Sequence, residues 1–152
     1  MLERFYDPSV GRPCGVDRRA KEQFVQQCLA NTVQIPSATS WPLHAVLAQQ
    51  VLSVPPEVKG DVIECGCYKG SSTASLSLAC QLAGRRLWVC DSFEGLPEDE
   101  SSRVHDYPHL QVYGHYEKGM YAGRLEEVRE NVARLGAVSV CQFVPGFFSE
   151  SL

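Results

Sequence analysis

The sequence lacks the long apolar run that a membrane-spanning helix requires. No stretch approaches the roughly 20 apolar residues that cross a bilayer. The first ten residues, MLERFYDPSV, also lack the basic and then apolar order of a secretion signal. We therefore expect a cytoplasmic protein with no membrane partner.

A surplus of basic residues is missing as well. The chain has 14 Lys and Arg against 18 Asp and Glu, which gives a formal net charge of −4. Because nucleic-acid binding depends on neutralising phosphates, we expect no nucleic-acid partner. The 152 residues, of which 44% are hydrophobic and 21% charged, are typical of one globular domain at most.

The seven cysteines lack the spacing of a metal or redox site. No C-x-x-C motif occurs, and a structural zinc site needs about four ligands at known spacings. In apolar surroundings a free cysteine behaves as a small buried hydrophobe. Five cysteines have such surroundings in the sequence, namely Cys28, Cys65, Cys80, Cys90 and Cys141. We therefore predict free, buried thiols and no metal site.

Two helices are predicted in the first third of the chain. Apolar residues recur at helical spacing over residues 17–31. A second helix begins near Ser40, a candidate cap, and ends before the prolines at 55–56. We interpret residues 1–56 as a helical segment that only covers a sheet face, and His44 as a surface or packing residue.

The middle of the chain has the pattern of a strand, a glycine loop, a helix and a second strand. Residues 61–66 are short, apolar and without polar alternation, which predicts a strand buried on both faces of a parallel sheet. A helix is predicted over 73–83, with Ser71 and Ser72 as candidate caps, and a strand over 87–90. A right-handed crossover makes these two strands parallel.

The last part of the chain adds one helix and one strand. Residues 92–123 show no periodic element, and a loop of this length is usually functional or mobile. A helix is predicted over 124–135 and a third strand over 138–144. The fold class is therefore α/β, with N-terminal helices and a parallel sheet that the sequence carries only as far as its third strand.

Candidate ligand-binding residues follow the predicted strands, because ligands of open α/β sheets bind beyond the carboxyl ends of the strands. Gly66 and Gly70 let the backbone approach a ligand, and the helix start at Ser71 offers N–H groups to an anion. Asp91 is placed to accept two hydrogen bonds from a ribose diol. The glycines do not form the G-x-G-x-x-G pattern of nicotinamide enzymes, and their spacing alone leaves the nucleotide open.

Four sequence blocks occur in order between Gly60 and the end of the chain: GDVIECGCYKGSSTASLSLAC, LWVCDSFEGLPE, LEEVRENVARLG and FVPGFF. Together they resemble the macrocin O-methyltransferase family, known from macrolide antibiotic biosynthesis. The resemblance implies a Rossmann-like class I methyltransferase, in which helices flank a seven-stranded sheet. It also implies S-adenosylmethionine as methyl donor, a magnesium ion, and a hydroxyl acceptor that is often on a sugar.

The resemblance assigns cofactor-binding roles by position. It places Glu64, Gly66, Tyr68, Gly70, Ser71 and Ser72 at the methionine end of S-adenosylmethionine, Asp91, Ser92 and Glu94 near the ribose, and Gly146 and Phe147 by the adenine. Glu64 would act through water or by helping to fix the glycine loop. The segment that carries His115, Tyr116, Lys118 and Tyr121 resembles a lid that closes over the site.

Members of this family continue well past the FF segment. Their later half supplies further strands, the aspartates that hold magnesium, and most of the substrate pocket. We therefore expect residues 57–152 to form a partial S-adenosylmethionine-binding domain of an O-methyltransferase acting on a hydroxyl of a small molecule, either a sugar or a natural product. We expect no metal ligands here, no identifiable catalytic residue, and no turnover by the 152 residues alone.

Two alternatives stay open on the sequence. The chain could be a non-catalytic S-adenosylmethionine-binding module that a partner chain or a dimer completes, or a Rossmann-like domain for another nucleotide. A three-stranded parallel sheet also has an exposed edge, which predicts either a homo-oligomer or low stability.

Overall fold

A parallel sheet organises the second half of the chain. The computed structural model describes residues 2–98 and 117–151. Its strands are β1 (Val62–Cys65), β2 (Leu87–Asp91) and β3 (Cys141–Pro145), in the order β1-β2-β3. Both strand pairs are parallel. All three strands therefore end at the same edge of the sheet, as the α/β prediction requires.

The helices of the described residues fall before, between and after the strands. They are α1 (Leu2–Phe5), α2 (Arg18–Gln34), α3 (Trp41–Ser53), α4 (Ser71–Ala83), α5 (Leu125–Leu135) and α6 (Phe148–Ser151). Asp17 caps α2, since its carboxylate accepts a 2.7 Å hydrogen bond from the Ala20 amide. Ser40 is the N-cap residue of α3, as predicted, but its side chain makes no cap hydrogen bond.

The predicted elements are found with shifted bounds. The third strand, for example, begins at Cys141 and not at Val138, because Val138–Val140 forms a 3₁₀ turn. None of the helices in the described part of the chain has both the length and the apolar character that crossing a membrane requires.

At β1 one face of the sheet is covered and the other is open. Glu64, Leu87 and Val89 point to the covered face and are buried, whereas Ile63 is 59% exposed and Cys65 is exposed. The prediction that the first strand is buried on both faces is therefore wrong, because on the side of Ile63 and Cys65 no element of the described residues covers this strand. The prediction of a buried Cys65 fails for the same reason. All seven cysteines are free, and Cys28, Cys67, Cys80, Cys90 and Cys141 are buried.

Helix α4 lies between the sheet and the N-terminal helices. Its buried residues are mostly small: Ser71, Thr73, Ala74, Ser75, Leu76, Ser77, Ala79 and Cys80. Small side chains let elements approach on opposite sides of one helix, so α4 contacts β2 and α5 as well as α2 and α3. The N-terminal helices thus pack on α4, which corrects the expectation that they cover a sheet face.

The contact of α5 with the glycine loop yields a test of the packing. Val128 on α5 is 0% exposed, whereas Val33 on α2 is 77% exposed. Val128→Ala should lower the free energy of unfolding by about 2 kcal/mol, since it removes buried methyl groups and leaves a cavity. Val33→Ala should change it by less than about 0.5 kcal/mol. Urea unfolding measures both, and equal effects would contradict this packing.

Candidate functional site

The loop between β1 and α4 has an unusual backbone. Gly66, Tyr68 and Gly70 have φ angles of 87°, 51° and 86°. A tyrosine in this left-handed region is strained, and such residues persist only where the surroundings hold them. Gly123 packs so closely that a side chain there would collide with the Tyr68 carbonyl. The loop is therefore held in one shape by contacts from later in the chain.

The Asp91 carboxylate, at the end of β2, holds this loop from the sheet side. Its Oδ2 accepts hydrogen bonds from the backbone amides of Cys67 at 2.6 Å and Tyr68 at 3.3 Å. Its Oδ1 accepts one from the Phe93 amide at 2.8 Å. Asp91 thus joins the glycine loop to the turn after β2. Contact between Asp91 and a ribose stays a prediction.

The Glu64 carboxylate holds the start of α4. Its two oxygens accept hydrogen bonds from the Ser72 and Thr73 hydroxyls, both at 2.6 Å. Burial raises the pKa of Glu64 to about 7, and the negative charge of Asp91 adds to this, although the two hydroxyls act in the opposite direction. Glu64 is therefore poised between its neutral and ionised forms near neutral pH.

The predicted caps of α4 have other roles. The N-cap is Gly70, which makes no side-chain cap bond. Ser72 turns its hydroxyl to Glu64, and among the described residues the buried Ser71 hydroxyl has no hydrogen-bond partner. The prediction that these serines cap the helix is wrong, because α4 already begins at Ser71, after Gly70, and the Ser72 hydroxyl binds the buried Glu64 carboxylate. The amides of the first turn of α4 are thus left without side-chain caps.

A cavity of about 530 Å³ opens beside this loop. It is lined by Ala38, Gly66, Tyr68, Asp91, Ser92, Gly95, Leu96, Pro97, Tyr121, Phe147, Phe148 and Ser149. Its walls thus come from the ends of all three strands, from the segment between α2 and α3, and from a residue before α5. A volume of this size is in the range of small-molecule sites.

The cavity gathers part of the predicted site. Five of the predicted cofactor residues line it, namely Gly66, Tyr68, Asp91, Ser92 and Phe147. The other six, which are Glu64, Gly70, Ser71, Ser72, Glu94 and Gly146, lie outside its lining. Sequence reasoning missed Ala38, whose neighbours carry no periodic or chemical signal. It could have found Leu96 and Pro97, which belong to the same sequence block as Asp91.

The segment 117–122 docks on the turn after β2. The Leu96 amide donates to the Met120 carbonyl and the Gly119 amide donates to the Leu96 carbonyl, both at 2.9 Å. The rings of Tyr121 and Tyr68 meet edge to face at 5.7 Å. Of the predicted lid residues, Tyr121 lines the cavity, Lys118 pairs with Glu98 at the surface, and His115 and Tyr116 lie outside the described residues. Closure of this segment over the site stays a prediction.

Residues 2–98 and 117–151 contain no group of three or more His, Cys, Asp or Glu side chains that could hold a metal ion. Asp91 lines the cavity and accepts hydrogen bonds from the glycine loop, while Glu64 lies behind the lining and accepts hydrogen bonds from the start of α4. These residues do not fit a metal centre, so we assign them no metal-dependent step.

The chain is similar in sequence to a family of O-methyltransferases and to individual members of it. The family model of the macrocin-O-methyltransferases (TylF) matches residues 43–152. The 8-demethyl-8-(2,3-dimethoxy-alpha-L-rhamnosyl)-tetracenomycin-C 4'-O-methyltransferase of Streptomyces olivaceus is 34% identical over 107 residues, which cover 62% of this chain and 37% of that protein. The mycinamicin III 3''-O-methyltransferase of Micromonospora griseorubida is 28% identical over 102 residues, covering 62% and 39%.

A third relative and a solved structure extend this comparison. The demethyldecarbamoylnovobiocin O-methyltransferase of Streptomyces niveus is 29% identical over 100 residues, covering 62% of this chain and 37% of that protein. The chain thus spans less than two fifths of the length of the three curated relatives. The structure of the O-methyltransferase NovP superposes with a TM-score of 0.65 at 21% identity, covering 86% of this chain and 64% of that one. This likeness supports the α/β fold.

The raised pKa of Glu64 predicts a pH-dependent stability. Below about pH 4.5 the residue is protonated in both the folded and the unfolded chain. As the pH rises to 7 the folded chain keeps its proton more tightly, so the free energy of unfolding falls, by about 3 kcal/mol in total. Glu64→Gln should abolish this fall, whereas Gln at the exposed Glu57 should not. Urea titrations at several pH values measure it, and parallel profiles for wild type and Glu64→Gln would refute it.

The docking of segment 117–122 depends on Gly95. A Cβ there would lie 2.6 Å from the carbonyl oxygens of Gly119 and Met120. Gly95→Ala should therefore speed hydrogen exchange at the Leu96 and Gly119 amides, whose hydrogen bonds would break. Gly84→Ala is the matched control, because its φ of 65° is also left-handed while its Cβ would meet nothing within 4 Å. The same exchange in both variants would mean that the close approach is unimportant.

Proposed function

Because the chain belongs to the macrocin-O-methyltransferase (TylF) family, we propose that its residues 57–152 form the S-adenosylmethionine site of an O-methyltransferase. The observation that carries the proposal is the cavity at the carboxyl edge of the parallel sheet, where Gly66 and Asp91 meet. Ligands of open α/β sheets bind at this edge. The N-terminal helices, residues 1–56, contribute Ala38 to the same cavity.

The residues present fit the proposed cofactor in three ways. A Cβ on Gly66 would meet no atom within 4 Å, so the loop leaves space beside its backbone. The first turn of α4 has uncapped amides and the partial positive charge of a helix start, which suit the carboxylate of a methionine moiety. Tyr68, Tyr121 and Phe147 offer aromatic surface to an adenine ring.

S-adenosylmethionine, when bound, supplies a methyl group on a positively charged sulfur. In the proposed site the Asp91 carboxylate lines the cavity, and an acidic side chain there suits a cationic ligand. Asp91 and Glu64 also keep the glycine loop and α4 in place, so the binding groups are ordered before the ligand arrives. Such preorganisation lowers the entropic cost of binding.

The acceptor is proposed to be a hydroxyl of a small natural product, on a sugar or on the aglycone. The similarity to O-methyltransferases of tetracenomycin, mycinamicin and novobiocin precursors supports this class of acceptor. Methyl transfer needs the attacking hydroxyl to be positioned and its proton to be accepted. We assign no side chain of the described residues to these two tasks. The use of magnesium is proposed for the family and not for these residues.

Calorimetric titration of the 152-residue chain tests the proposal. We expect binding of S-adenosylmethionine and S-adenosylhomocysteine, and no heat with NAD. Asp91→Asn should weaken binding by about 10- to 100-fold, because an amide nitrogen would face the amides that the carboxylate now accepts from. Asp61→Asn is the matched control, since Asp61 bonds Arg86 and Trp88 and does not line the cavity.

Three other results would change the assignment. Binding of NAD alone would indicate a domain for another nucleotide. If folded protein gives no heat with either S-adenosylmethionine or S-adenosylhomocysteine, the proposal is refuted for this chain. Equal losses in Asp91→Asn and Asp61→Asn would place the ligand away from the glycine loop.

A further inference from the structure

We propose that His44 is a positioning residue, which joins the first turn of α4 to the segment 36–40 and thereby sets the shape of the cofactor cavity. The inference rests on the proposed function, because the shape of the cavity matters only if the cavity binds a ligand. Nothing in the sequence blocks that resemble methyltransferases assigns a role to this residue. His44 lies in the N-terminal part of the chain, on α3.

Both ring nitrogens of His44 are hydrogen-bonded. The side chain is 1% exposed. Its Nδ1 lies 3.1 Å from the Ser75 hydroxyl on α4, and its Nε2 lies 2.9 Å from the Thr39 hydroxyl. The ring therefore bridges two separate elements, which a residue that only fills space would not need to do.

Either of the two neutral tautomers of His44 completes the hydrogen bonds around Ser75. The Ser75 hydroxyl accepts from Asn31 Nδ2 at 3.0 Å and can donate its one hydrogen to the Ser71 carbonyl, at 3.3 Å, or to Nδ1 of His44. In the first case Nδ1 donates to Ser75 and Nε2 accepts from Thr39, and in the second Nε2 donates to Thr39. The ring is neutral in both cases, in agreement with burial, which lowers the pKa of His44.

One end of the bridge reaches the helix start. Ser71 is the first residue of α4, and its carbonyl is held by Ser75. Asn31 on α2 holds the same hydroxyl and is itself 0% exposed. The side chains of Asn31, His44 and Ser75 all have partners, and such a connected set of buried side chains favours one arrangement over others. The orientation of the first turn of α4 is thus tied to two helices behind it.

The other end of the bridge reaches the cavity wall. Ala38 lines the cavity, and its neighbour Thr39 bonds His44. The other side-chain hydrogen bonds of residues 36–39 in the described structure run between Ser37 and Thr39, within the segment itself. His44 is therefore the hydrogen-bonded anchor that keeps Ala38 beside the cavity.

Three substitutions at the bridge test the proposal. In His44→Asn the amide nitrogen can replace Nδ1 but not Nε2, and in His44→Gln the amide can replace Nε2 but not Nδ1. Thr39→Val removes the hydroxyl with little change of shape and should behave as His44→Asn does. Val51→Ala is the control, because Val51 is buried on the same helix but makes no side-chain hydrogen bond.

Calorimetry with S-adenosylhomocysteine gives the first readout. We expect about tenfold weaker binding in the three bridge variants, since a site that holds its competent shape about a tenth of the time loses affinity by that factor. Val51→Ala should lower stability without changing the affinity. Bridge variants that bind as tightly as Val51→Ala would overturn the proposal and leave His44 with a role in stability alone.

Hydrogen exchange of the ligand-free chain gives a second readout that needs no cofactor. His44→Gln loses the hydrogen bond to Ser75. It should therefore speed hydrogen exchange at amides 74–78 of α4 more than Val51→Ala does, when the two variants are compared at equal stability. If the wild-type chain binds no S-adenosylhomocysteine, the proposed function fails. Hydrogen exchange then still shows whether His44 holds α4 through Ser75. Equal exchange in His44→Gln and Val51→Ala would overturn the bridge whether or not the cofactor binds.

Discussion

The Asp91 carboxylate is the interaction on which the site depends. It stands at the end of the middle strand and accepts hydrogen bonds from the amides of Cys67, Tyr68 and Phe93. Three amide donors satisfy the oxygens of this buried side chain. One side chain thereby orders the loop after β1 and the turn after β2, which both line the cavity. The strained φ of Tyr68 is tolerated because these bonds hold it.

Helix α4 transmits this order from the sheet to the rest of the chain. On one side Glu64 binds its first turn through Ser72 and Thr73. On the other side Ser75 meets Asn31 and His44 from the N-terminal helices. Small side chains make both contacts possible at once, since a helix with large residues could not be approached so closely from two sides. The N-terminal helices are thus part of the site and more than a cover for the sheet.

The sequence predicted the order of strands and helices well and the polar contacts poorly. Runs such as residues 87–90 and 125–135 carry their own periodicity, and their structure follows from local pattern. Ser71 and Ser72 were predicted as helix caps because serine caps helices in general. The Ser72 hydroxyl instead binds Glu64, whose position is set by the packing of β1 under α4, and the Ser71 hydroxyl is buried without a partner among the described residues. Ile63 was predicted to be buried because apolar strands usually are, but whether a sheet face is covered depends on other elements.

The sequence by itself determined the parallel α/β pattern, the glycine loop, and the acidic residue at the end of each of the first two strands. These are properties of neighbouring residues, and they also carry the family resemblance. Only the tertiary structure decided which groups these acids hold, that Ala38 reaches the cavity, and that His44 joins Thr39 to Ser75. The contacts of Asp91 with Cys67 and of His44 with Ser75 join residues 24 and 31 positions apart, and such distances depend on how the sheet, α3 and α4 pack, which no local pattern encodes.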